Sequence, residues 1–158
     1  MMTAFPSSLA KLLARLPAYP ASLTFAKGFN LTVWKSLQDL DWEALQGRRF
    51  CVHVRDVGVR LWFSVAGNGL KVETAGQADV TFTATLADFV RLALRLEDPD
   101  TLFFNRRLLI EGDTDLGLRT KNMLDGVEFE TLLASFPGVL GKAINHLRER
   151  ALQGTPAL

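Results

Sequence analysis

His53 and His146 are the only histidines of the chain and Cys51 its only cysteine, so the side chains that most often bind metals or attack electrophiles are few. The two imidazoles stand far apart in the chain, without the i, i+4 spacing that would put both on one turn of a helix around a zinc ion, and no metal is implied. His53 alternates with Phe50, Val52 and Val54, which puts it on the opposite face of a strand, as a structural or surface histidine. Cys51 reads as a small buried hydrophobe, and with no second cysteine there is no intrachain disulfide, so the compartment reads as reducing. The acids Glu111, Asp113 and Asp115 suggest a cation site, but their order fits better a helix cap followed by an acid in the first turn, where the helix dipole favours it. Gly67-Asn68-Gly69 is too short to cradle a phosphate and sits between strands, where it makes a hairpin. No serine lies in a Gly-x-Ser-x-Gly elbow. The pairs Arg48-Arg49 and Arg106-Arg107 lie in net acidic surroundings and are not interleaved with exposed aromatics, which argues against nucleic acid. No acid, base and nucleophile converge, so neither an enzyme nor a cofactor is implied.

The elements around these residues follow from periodicity. From Ser7 to Leu40, apolar residues recur at helical spacing and are interrupted by Pro17 and Pro20, which predicts two helices about a proline-bounded hinge. From Arg49 the period becomes two. Phe50, Val52 and Val54, then Val59, Leu61, Phe63 and Val65, then Leu70 and Val72, then Val80, Phe82 and Ala84 predict a four-stranded antiparallel meander. Thr85 caps an amphipathic helix carrying Leu86, Phe89, Val90, Ala93, Leu94 and Leu96, which Asp98-Pro99 stops. A fifth strand over Arg107 to Glu111 leads through Gly112-Asp113 into a helix with Leu116, Leu118, Met123 and Leu124. The last helix, Pro137 to Gln153, is basic and amphipathic, and docking on its own domain or on a membrane surface explains it equally well. Segregated strands and helices predict an α+β fold: a five-stranded, mainly antiparallel sheet covered on one face by helices.

With 158 residues, 48% of them hydrophobic and 22% charged, the chain suits one domain that buries most of its apolar surface. The net charge of +1 hides a segregation: residues 1–38 carry +4, residues 39–133 carry −5 and residues 134–158 carry +2. Basic ends on an acidic centre suit an anionic surface, and solvated helix faces explain them as well. Leu12 and Leu13 are followed at once by Arg15 and Pro17, unlike a secretory signal, and no apolar run is long enough to span a bilayer. A cytoplasmic protein is expected, with any membrane contact peripheral and on the inner membrane.

The stretch Asp79-Val80-Thr81-Phe82-Thr83-Ala84-Thr85 with its following helix, and then Leu109-Ile110-Glu111-Gly112-Asp113-Thr114-Asp115-Leu116-Gly117, resembles the sterol carrier protein type 2 family. In that family a strand of the form D-V-T-F-T precedes a helix, and a G-D strand end precedes the next. The likeness runs from Trp42 to Phe129. The run Arg106 to Leu118, with Lys121-Asn122-Met123-Leu124-Asp125, is similar to the branch of the family that serves oxygen-independent ubiquinone biosynthesis in bacteria. The resemblance implies a hydrophobic tunnel between sheet and helices, no catalytic centre, and polyprenylated quinone precursors or phospholipid acyl chains as ligands. Implied partners are the hydroxylase pair UbiU and UbiV and other ubiquinone-biosynthesis enzymes.

On this basis the chain divides into an N-terminal helical extension (1–40), a lipid-binding domain (41–135) and a C-terminal basic amphipathic helix and tail (136–158). Strand alternation and helix stripes nominate Leu61, Phe63, Val65, Phe82, Phe89, Ala93, Leu96, Phe103, Phe104, Leu109, Leu116, Met123 and Leu124 as the tunnel lining. Lys11, Leu12, Leu13, Arg15 and Leu16, with Leu140, Lys142, Ile144, Leu147 and Arg148, are the expected membrane contacts. Periodicity does not separate a lipid cavity from a filled core, so a non-catalytic scaffold with a solid core is the alternative.

Overall fold

The computed structural model describes residue 11 and residues 18–154. Five strands, β1 (Arg49–Val54), β2 (Val59–Ala66), β3 (Gly69–Val72), β4 (Val80–Ala84) and β5 (Leu109–Gly112), form one sheet in the order β3-β2-β1-β4-β5. Three of its pairings are antiparallel, but β1 pairs with β4 in parallel, Phe50 opposite Val80 and Val54 opposite Ala84. The expected meander therefore holds for β1 to β3 and fails at β4. Residues 73–79 are too many for a tight turn and carry the chain past β2 and β1 to the far side of the sheet. The crossing is locked at its end by Asp79, whose carboxylate accepts the Arg49 N–H at 2.7 Å while its own N–H donates to the Arg49 carbonyl at 2.8 Å.

The helices are α1 (Ala18–Thr32), α2 (Trp34–Leu37), α3 (Leu86–Ala93), α4 (Pro99–Phe104), α5 (Thr114–Asp125), α6 (Phe129–Ala134) and α7 (Gly138–Gln153), with a short 3-10 turn at Glu43–Leu45. Pro20 lies in the first turn of α1, where a missing N–H costs nothing, so the helix accommodates it. Pro17 lies outside the described residues. The α3 cap is as expected: Thr85 Oγ1 accepts from the Asp88 N–H. The helix ends sooner than its apolar spacing predicts, at Arg95 in the left-handed region (φ 54°). Asp98-Pro99 stops that segment and also starts α4, with Asp98 as N-cap and Pro99 in the first turn. Asp113 caps α5 by accepting from the Leu116 N–H, and it also pairs with Arg48 at 2.6 Å.

Strand register sorts the side chains. Phe50, Val52, Val54, Leu61, Phe63, Val80, Phe82, Ala84 and Ile110 share one face, and the helices pack there. Phe25 of α1 lies 5.5 Å from Phe63, Gly117 of α5 sits against Ile110 and Val80, and Phe89 and Leu92 of α3 pack on the cluster of Ala84, Leu102 and Leu108. The Gly117 contact leaves no room for a Cβ, and that is how α5 approaches the sheet so closely.

Helix α1 also shields the open edge of β3. The Asn30 side chain donates to the Leu70 carbonyl and accepts the Leu70 N–H, both at 2.7 Å, and Ser22 Oγ accepts the Trp62 N–H just beyond the end of β3. Unpaired edge groups invite another strand, and here a helix satisfies them instead. Gly69, at φ 136°, is required twice over: the hairpin needs that conformation, and a Cβ there would strike Asn30.

Candidate functional site

Over the helix-covered face, burial is uneven in a specific place. Phe50, Val80 and Ala84 are 2%, 0% and 0% exposed, as central strands require. The row between them, Leu61 on β2, Val52 on β1 and Phe82 on β4, is only half-buried, although Val52 occupies the middle of the middle strand. The helices explain the gap. α1 packs on β2 and β3 and α5 packs on β4 and β5, one towards each edge, so neither lies closely over β1. Phe25, Phe63, Phe89, Phe103 and Met123 are also half-buried, although all of them face this core. In α3 the apolar Leu86, Phe89, Val90 and Leu92 are half-buried, and the residue it buries is Asp88. This helix presents an apolar stripe that its neighbours leave partly exposed.

The predicted lining divides accordingly. Phe63, Val65, Phe82, Phe103, Leu116 and Met123 belong to the main cluster, and Phe82 joins it to a second cluster holding Phe89. Leu61 lies on the same face beside Val52, and Leu96 is half-buried beyond the end of α3. Three of the predicted residues are not gathered in: Ala93 and Leu124 are exposed, and Phe104 is 78% exposed. Leu109, opposite Thr83, lies on the other face of the sheet. Sequence alternation did not single out Val52, because its place beside Phe82 depends on the parallel β1–β4 pairing, which no local pattern encodes.

Asp88, buried in the first turn of α3, accepts from Arg107 at 2.5 Å and from Arg91 at 3.1 Å, and Arg107 also pairs with Glu97 at 2.7 Å. Burial alone would push the Asp88 carboxyl up, but the bonds from Arg107, Thr85 and Arg91 outweigh it and hold the carboxyl below its ordinary value. Lys121 is buried on α5 and pairs with Asp100 of α4 and with Asn122 Oδ1. The Arg107 bonds join the first turn of α3 to the segments on either side of α4, and Lys121 joins α5 to α4.

On the opposite face, Cys51 and His53 lie two residues apart on β1. Burial pushes the Cys51 thiol up, against the opposing pull of Arg60, so the thiolate needed for attack is disfavoured. Burial and then Arg60 lower the His53 pKa, against the opposing pull of Glu111, so the charged ring is disfavoured. Among the described residues no group of three or more His, Cys, Asp or Glu is placed to hold a metal. A separate surface groove of about 570 Å³ is lined by Trp34, Leu40 and Trp42 together with Asp39, Asp41 and Glu43, and none of the thirteen predicted lining residues borders it.

The sheet has one parallel pairing and carries helices over the face that holds the half-buried row Leu61, Val52 and Phe82. The SCP-2 sterol transfer family profile matches residues 34–125, more than half of the sequence, and the chain belongs to that family. It is 47% identical over 98 residues to the ubiquinone biosynthesis accessory factor UbiT of Escherichia coli strain K12. The match covers 62% of this chain and 56% of that protein, and the UbiT of Escherichia coli O157:H7 matches to the same extent. The chain thus spans about half the length of the curated relatives it matches. Among solved structures, the ubiquinone synthesis protein UbiJ-SCP2 superposes with a TM-score of 0.51 over 67% of this chain and 94% of its own, at 21% identity, and so shares the fold. Among the described residues no helix is long and apolar enough to cross a membrane.

Proposed function

We propose that the chain is a non-catalytic lipid-binding accessory protein of ubiquinone biosynthesis. It holds the hydrocarbon tail of a polyprenylated quinone precursor, or the acyl chain of a phospholipid, in the space over β1. The observation that carries this reading is the half-buried row Leu61, Val52 and Phe82 at the centre of the helix-covered sheet. Family membership and the likeness to UbiT support the same class of ligand. A long isoprenoid needs no strong polar anchor, since each Å² of apolar surface withdrawn from water contributes about 25 cal/mol. The tunnel walls are the sheet row, the α3 stripe, Phe25, Phe103 and Met123. By presenting its ligand the protein serves the oxygen-independent hydroxylases UbiU and UbiV and other ubiquinone enzymes, in the cytoplasm and at the inner membrane.

Purified protein, extracted and analysed by mass spectrometry, should release an isoprenoid or acyl lipid. The Phe82→Gln/Phe89→Gln variant should remain folded by circular dichroism and lose that lipid. Lipid retained at the wild-type level would refute the assignment of the space over β1.

A further inference from the structure

We propose that the outward face of α7 docks on an anionic phospholipid bilayer, with Leu140 and Leu147 entering the interface and Lys142 and Arg150 meeting lipid phosphates. Helical geometry separates two sides of α7. Gly141, Ile144 and Arg148 form the inner stripe: Gly141 is buried, with the Leu133 and Phe136 carbonyls where a Cβ would point, Ile144 is half-buried, and Arg148 reaches inward. The Arg148 guanidinium lies 4.3 Å from the Phe129 ring centroid and donates from Nε to the Leu94 carbonyl at 3.0 Å. Of the expected membrane contacts, Ile144 and Arg148 are thus committed to the protein itself.

Leu140, Ala143 and Leu147 fall on a neighbouring stripe that points away, with Leu147 59% and Val139 86% exposed. Exposed Arg150 borders it on the side away from the protein and exposed Lys142 lies further round on that side, next to the one acid of the helix, Glu149, which accepts from Asn145. An apolar stripe with Arg150 and Lys142 on its solvent side complements a surface that is hydrocarbon beneath and phosphate above, and a protein partner with a plain apolar groove would leave these two cations unmatched. Lys11 is exposed as well, and Leu12, Leu13, Arg15 and Leu16 lie outside the described residues.

The Arg148 bond fastens α7 to the end of α3, whose Phe89 and Leu92 face the apolar space. Docking therefore brings the wall of that space to the bilayer, which is where a lipid ligand would enter; this last step rests on the function proposed above.

Flotation of the full chain with phosphatidylcholine vesicles, with and without phosphatidylglycerol, tests the proposal. The wild type should float only with the anionic vesicles, and both Leu140→Gln/Leu147→Gln and Lys142→Gln/Arg150→Gln should reduce the floated fraction about tenfold. Leu31→Gln, at an exposed apolar position on α1, should float like the wild type. All variants should keep the wild-type melting temperature, because the substituted side chains face outward, and should keep their extractable lipid, so that this test and that of the apolar space fail separately. Unchanged flotation of the Leu140→Gln/Leu147→Gln variant would overturn the proposal. So would a wild-type dimer that never floats and that the same variant dissociates, since a second copy would then cover the stripe.

Discussion

Asp88 shows how much a single residue position can conceal. Its spacing reads as an ordinary first-turn acid of α3, yet it is the residue that α3 buries, held by Arg107, Arg91 and the Thr85 hydroxyl. Its folded pKa lies below the unfolded value, so it contributes stability above the unfolded pKa, and that contribution is lost as pH falls through the folded one. Asp88→Asn should cost about 2 kcal/mol at pH 7, and the difference from wild type in urea titrations should shrink as the pH is lowered through the carboxylate range. A difference that stayed constant with pH would show that the carboxylate charge is not what matters. Gly117 is the complementary case, a residue defined by what it lacks. Gly117→Ala should destabilise by about 1–3 kcal/mol, because the added methyl meets Ile110 and Val80; urea unfolding measures it, and a neutral effect would show that α5 shifts freely on the sheet. The caps at Thr85 and Asp113 were legible in the sequence because their signal is local. The partners of Asp88 were not, since Arg107 lies nineteen residues along the chain.

At the scale of elements, the strands and the long helices follow from their periods, and the short ones do not. Helices α2, α4 and α6 have four to six residues, too few for a 3.6-residue repeat to declare itself. The parallel β1–β4 pairing escaped because alternation fixes which face a side chain takes and not which strand lies beside it. That omission hid Val52. Helix α1 has a role that its hydrophobic stripe does not announce, since it closes the β3 edge through the polar Asn30 and caps β2 just beyond β3 through Ser22. Asn30→Ala leaves both Leu70 backbone groups without this partner and should cost about 1–3 kcal/mol, with faster aggregation near the melting temperature by light scattering. An unchanged aggregation rate would show that the edge is guarded by other means.

The whole molecule is a sheet whose helices lean on its two sides and leave its centre thinly covered. The fold class was legible because segregated strands and helices admit few layered solutions. Whether the core is solid or receives a guest was not, because the same apolar side chains serve both. Filling the space decides it. In Val52→Phe the larger ring occupies the volume over β1, so the variant should melt no lower than wild type and should release, by native mass spectrometry and extraction, little of the lipid that wild type carries. A wild type that extracts clean, together with a Val52→Phe variant destabilised by the roughly 1–3 kcal/mol typical of an overpacked core, would contradict the account.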